Sequence, residues 1–93
     1  MSSQERIKDY QKTSEILKAL GHPVRLQIVD GLMNDECNVG KIVELMKLPQ
    51  STISQHLGIL RSRGILYAER INVKTCYHIK DDRVKKIIEI LRK

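Results

Sequence analysis

Leu48–Gly64, LPQSTISQHLGILRSRG, runs directly into Ile65–Ile79, ILYAERINVKTCYHI. Within the first segment Ile53, Leu57 and Leu60 recur at i, i+4 and i+7, the period of a helix with one apolar face. Gly64 stands where that helix should end, and Pro49 is acceptable just inside its start. With the apolar face inward, the outward positions near the start are Gln50, Ser51, Thr52, Ser54, Gln55 and His56. Ile65–Arg70 and Lys74–Ile79 read as two basic strands joined by a tight turn at Asn72. A short polar-faced helix followed by a β-ribbon is the order that a winged helix-turn-helix uses to grip duplex DNA.

The residue types on that helix fit the task. Glutamine can pair bidentately with adenine, serine and threonine can reach bases or phosphates, and the threonine methyl can touch a thymine methyl. An ordinary exposed helix favours Glu, Lys and Ala, whereas three of the four residues 51–54 are Ser or Thr. Arg61 and Arg63 at the helix end suit phosphates, as do Arg70, Lys74 and Lys80 along the hairpin. Arg63 could equally neutralise the helix C-terminus. Asn72, Val73 and Lys74 at the hairpin tip are candidates for the adjacent minor groove, and His56 is a candidate DNA contact.

Outward from this core segment, Lys47-Leu48-Pro49 is a turn that follows a third helix over about residues 39–46, with Val39, Ile42, Val43 and Met46 inward. Cys37-Asn38-Val39 is a candidate short strand, with Asn38 available as the helix cap. A second helix opens at Pro23, carries Val24, Ile28, Val29 and Leu32, and ends near Met33. A first helix over about residues 4–20 carries Ile7, Tyr10, Ile16, Leu17 and Leu20, and Gly21-His22-Pro23 stops it. Beyond the hairpin, Asp81 or Asp82 caps a last helix with Val84, Ile87, Ile88 and Leu91 on one face. Of Tyr77 and His78, one should be buried and the other solvated. The expectation is one mainly α (α+β) winged helix-turn-helix domain over residues 1–93. Its order is helix, helix, short strand, helix, helix, strand, strand, helix.

A chain of 93 residues buries about two-thirds of its unfolded surface, so a lone core is marginal. The only aromatics are Tyr10, Tyr67 and Tyr77, which leaves the core to aliphatic side chains. The first and last helices carry more apolar surface than so small a core can cover, and packing them against a symmetry mate gives a homodimer. The net charge of +6 is lopsided: residues 1–46 hold six Lys/Arg against seven Asp/Glu, residues 47–93 eleven against four. The basic excess thus lies with the polar helix and hairpin, as double-stranded DNA would require. No apolar run approaches the roughly 18 residues of a membrane span, and the N-terminal residues lack the apolar stretch of a signal peptide. The expected location is cytoplasmic, where two cysteines are not a structural disulfide framework. No paired carboxylates, nucleophile with a nearby base, or Gly-rich phosphate loop is legible, which argues against an enzyme.

LKALGHPVRLQIVDGL (Leu17–Leu32) followed by ECNVGKIVELMKLPQSTISQHLGILRSRGIL (Glu36–Leu66) resembles the ArsR/SmtB family of bacterial winged-helix repressors, and the likeness extends from about Leu17 to Leu91. LPQSTISQHL looks most like the PagR-type branch, and ECNVG is similar to the SqrR/BigR-type, persulfide-sensing branch. The resemblance implies a homodimer joined through the first and last helices, the fourth helix in the major groove, a palindromic operator and release by an effector. The family's metal sites do not carry over. Where arsenic and cadmium sensors have Cys-Val-Cys, this chain has Asn38, Val39 and Gly40. Where zinc sensors have Asp-x-His in the last helix, it has Asp81 followed by Arg83. No metal or cofactor is expected.

Cys37 coincides with the reactive position of the persulfide sensors, whose second thiol lies in the last helix. Here the second cysteine is Cys76, on the second wing strand. A bridge between Cys37 and Cys76 requires their Cα atoms within about 7 Å; otherwise both are small buried hydrophobes. The sequence reading is therefore a dimeric, sequence-specific DNA-binding regulator, a repressor, with a small effector or sulfur species as its candidate signal. A protein-interaction module on the same scaffold, with only nonspecific DNA affinity, is the alternative.

Overall fold

The computed structural model describes residues 6–34 and 39–92. Asp9 sets the start of α1 (Tyr10–Leu20): it is extended, and its carboxylate accepts from the Lys12 backbone N–H at 3.0 Å. The spacing of Ile7 and Tyr10 predicts a start near residue 4, but Ile7 lies outside the helix. A capping carboxylate that satisfies a free N–H of the first turn outweighs one more apolar residue at helical spacing. The N–H of Gly21 closes α1 on Leu17 and Lys18. Pro23 then opens α2 (Pro23–Asn34), where His22 Nδ1 accepts the otherwise free N–H of Val24 at 3.1 Å.

Helix α3 (Val39–Met46) is expected to bury Val39, Ile42, Val43 and Met46. All four pack against the core but stay only half-buried, because the short helix lies on the edge of the domain. Lys47, with φ 55°, turns the chain into α4 (Gln50–Ser62), and Gly64, with φ 74°, reverses it out again. The left-handed backbone at Gly64 costs a residue without Cβ nothing. Strands β1 (Leu66–Ile71) and β2 (Lys74–Ile79) pair antiparallel from Leu66↔Ile79 to Ile71↔Lys74. The loop is Asn72-Val73, and Asn72 takes the positive φ of 57° that so tight a turn demands. Asp81 caps α5 (Asp82–Leu91) by accepting from the Arg83 N–H at 2.9 Å. The Arg83 guanidinium also grips this carboxylate, at 3.0 and 2.8 Å, and holds it below the usual carboxylate range.

Among the described residues the architecture is five helices and one two-stranded sheet, the winged-helix order expected. Val39 of the expected short strand belongs to α3, and Cys37 and Asn38 lie outside the described residues. The core is aliphatic. Ile28, Val29 and Leu32 of α2 sit at its centre, with Ile16, Ala19 and Leu20 from α1 and Ile53, Leu57 and Leu60 from α4. Ile65, Leu66 and Ile79 from the hairpin and Val84 and Ile88 from α5 close it. Arg92 ties the end of α5 to α2, donating to Asp30 Oδ1 at 2.7 Å and to Asn34 Oδ1 at 3.3 Å. Tyr10 and Leu17 of α1 and Ile90 and Leu91 of α5 remain more than half exposed. No described helix is long and apolar enough to cross a membrane.

Candidate nucleic-acid interface

Burying Ile53, Leu57 and Leu60 fixes which way α4 faces. Opposite them, Ser51, Gln55, Gly58 and Ser62 follow one another at helical spacing as an exposed ridge. Gln50, Ser54 and Arg61, also exposed, flank it on one side. Thr52 and His56 flank it on the other and are half-buried. At Gly58 an added Cβ would meet no atom within 4 Å, so the fold does not require glycine there.

The hairpin supplies the cations. Arg70, Asn72 and Lys74 are exposed along its outer part, and Val73 is 85% exposed at its tip. An open recess of about 670 Å³ lies between the end of α4 and β1, and Arg61 and Lys80 both line it. Arg63 takes a different place. It is the C-cap residue of α4, and its Nε lies 3.2 Å from Glu15 Oε2 on α1. Tyr77 and His78 do not divide into a buried and a solvated residue. Both are half-buried, Tyr77 against the core and His78 beside Glu69 Oε1 at 3.0 Å, with its ring 4.9 Å from that of Tyr67. Both sheet faces are partly covered, since Cys76, on the face of His78, is 1% exposed.

His56 turns toward α2 and the turn before it. Its Nδ1 lies 3.3 Å from Arg25 Nη1, and its ring centroid 4.6 Å from that of His22. Arg25 is anchored in turn by donating through Nε to the Ala19 carbonyl at 2.6 Å. Burial first, and then the charges of His22 and Arg25, lower the pKa of His56 below its usual 6.5. By sequence His22 belongs to the turn before α2, and Arg25 carries no legible role. The residues meeting at His56 are separated by 31 positions, and no local pattern reports such a contact.

Cys76 is disulfide-bonded and lines a recess of about 330 Å³ with Ile71, Asn72, Val73 and Lys74 at the wing tip. Cys37 lies outside the described residues. Among the described residues no three His, Cys, Asp or Glu side chains group as metal ligands.

Residues 22–68 match the family model of the bacterial regulatory proteins of the arsR family. Over 83 residues the chain is 46% identical to an HTH-type transcriptional regulator of Methanocaldococcus jannaschii, covering 88% of this chain and 93% of that one. The crystal structure of the transcriptional repressor PagR of Bacillus anthracis is similar, with TM-score 0.77 at 39% identity, over 87% of this chain and 93% of that one. The homodimeric winged helix-turn-helix DNA-binding domain of a Mycobacterium bovis protein is also similar. There the TM-score is 0.76 at 28% identity, over 87% of this chain and 75% of that one.

Proposed function

The chain belongs to the arsR family of bacterial regulatory proteins, a family of winged-helix transcriptional regulators, and from that premise we propose that it is a dimeric repressor that reads a palindromic operator. The observation that carries this reading is the ridge of Ser51 and Gln55 on α4, flanked by Gln50 and Ser54 and unobstructed by the rest of the fold. In the proposed complex α4 lies in the major groove, Gln50, Ser51, Thr52, Ser54 and Gln55 read bases, and Arg61, Arg70 and Lys74 hold phosphates. Asn72 enters the adjacent minor groove. His56 and Arg63, engaged with α2 and α1, contribute by holding α4 in place. The exposed apolar residues of α1 and α5, with the homodimeric M. bovis domain, support pairing through these two helices.

The test is fluorescence anisotropy with DNA from upstream of the protein's own gene, at about 0.15 M salt, where nonspecific attraction is screened. Tight binding to one palindrome, resisted by scrambled competitor, is the expected result. Equal, salt-sensitive binding to every sequence would instead favour the protein-interaction module. Gly58→Ala sharpens the same test. Alanine in place of glycine inside a helix stabilises by roughly 0.5–1 kcal/mol, and here the new methyl meets nothing. The variant should melt higher yet bind operator more weakly, since a bare backbone on the ridge lets the duplex approach closely.

We also propose that the regulator responds to sulfur oxidants through Cys76 and Cys37, the chain's two cysteines. The disulfide at Cys76 supports this. Oxidation of the two thiols passes two electrons and two protons to a polysulfide, which leaves as sulfide. The bond then constrains β2 and hence the wing, where Lys74 sits two residues away. Treatment with a polysulfide donor should release operator DNA, reductant should restore binding, and Cys76→Ser should be unresponsive. Unchanged binding after treatment would make both cysteines structural.

A further inference from the structure

We propose that Arg25 and His22 are positioning residues for the reading helix: with His56 they form a seat that sets the roll of α4, and so decide which of its polar side chains meet base edges, without touching the duplex themselves. This rests on the DNA-reading role of α4 proposed above. The core contacts of Ile53, Leu57 and Leu60 set which face of α4 lies inward, but they are aliphatic and carry no directional preference that would refine the roll within that face. Hydrogen bonds, by contrast, are directional. The His56–Arg25 contact is of that kind and falls beside Gln55, about one turn from Thr52. Its other end is rigid, because Arg25 Nε is bonded to the last turn of α1 at Ala19 and His22 Nδ1 is bonded to the Val24 N–H. The roll of α4 is thereby referred to the α1–α2 corner.

The seat works in one protonation state. A guanidinium has donors only, so His56 Nδ1 must accept, and its imidazole must be neutral with the proton on Nε2. A proton at Nδ1 would set donor against donor, with a new positive charge beside Arg25 and His22. The charges acting on His56 come from these two residues, on α2 and in the turn before it. On the other elements packed near α4, Glu15 of α1 is engaged with Arg63, and Glu69 of β1 with His78. The folded protein therefore binds this proton less readily than the unfolded chain. The stability contributed by neutral His56 is complete above pH 6.5 and is lost as pH falls through the lowered folded value. Operator reading should weaken over the same interval. The extra charge by itself acts oppositely, since it favours any DNA.

These opposed signs make the test decisive. Operator and scrambled duplexes of equal length are titrated from pH 8 to 5.5 with the wild type, Arg25→Gln, Arg25→Lys and His56→Gln, with a thermal melt at each pH. The His56 imidazole is followed by NMR in the free proteins. For each unit by which operator binding lowers the His56 titration, linkage reduces operator preference by about tenfold at acid pH. The expected wild-type preference falls on acidification while scrambled binding does not weaken, and His56→Gln abolishes this pH dependence. Arg25→Gln should show poor preference even at pH 7.5 and move the His56 imidazole resonances, with partial rescue by Arg25→Lys. Equal loss of operator and scrambled binding in Arg25→Gln would overturn the proposal by making Arg25 a phosphate contact. An unchanged pH profile in His56→Gln would overturn it as well. A wild type without operator preference at any pH would sink the DNA-reading role instead, and His56 imidazole resonances left unchanged at pH 7.5 by Arg25→Gln would sink the seat independently.

Discussion

Leu32→Ala is expected to remove a large share of the protein's stability at 25 °C. Leu32 is fully buried in α2, the helix that packs on α1, α3, α4, α5 and β2 together, so neighbours held by five elements cannot collapse into the space it leaves. A leucine truncated in such a place costs about 2–5 kcal/mol. Small domains have about 5–15 kcal/mol in all, and a 93-residue chain lies toward the lower end. Urea melts check this: the midpoint should fall sharply with little change in slope. Leu45→Ala is the matched control, because that leucine is 70% exposed on α3 and its loss should cost less than about 0.5 kcal/mol. Equal effects of the two substitutions would mean that the core is misassigned.

Gln55→Ala should cost about 1–3 kcal/mol on the operator and relax preference at one base pair in each half-site. Gln55 stands on the exposed ridge of α4, and its amide can pair bidentately with adenine. Binding to random DNA should hardly change, because no charge is removed. Lys74→Ala is the contrasting variant. It should weaken operator and random DNA alike and reduce the slope of log affinity against log salt by about one per protomer, and so about two for the dimer. Competition over single-base operator variants separates the two. If Gln55→Ala weakened every duplex equally, its base-reading role would be excluded.

The parts of the fold legible in the sequence are those where one local signal has no rival. Ile53, Leu57 and Leu60 orient α4 by spacing alone, and Gly64 and Asn72 stand where the backbone must take positive φ. The start of α1 was not legible, because Asp9 can be read either as one more polar residue of a helix or as its cap, and only the backbone decides. The candidate site shows the same boundary. Six polar residues open α4, and the sequence separates them from the core but not from one another. His56, next to outward Gln55, turns aside to meet Arg25, a residue far away in the chain that no local pattern connects to it. Cys76 is a further case, since its strand neighbours Thr75 and Tyr77 give no hint that both sheet faces are covered there.

Because Leu17, Ile90 and Leu91 lie bare on a single copy, pairing through them would make the stability of the fold depend on how much of the protein the cell holds. A lone copy would then be both the less stable form and the one with its apolar helices open to proteases and chaperones. Below the pairing constant the concentration of dimers follows the square of the total, so halving synthesis would cut the occupancy of an unsaturated operator about fourfold. A graded change in expression would thus become a sharper change in transcription, and dosage itself could act as a signal.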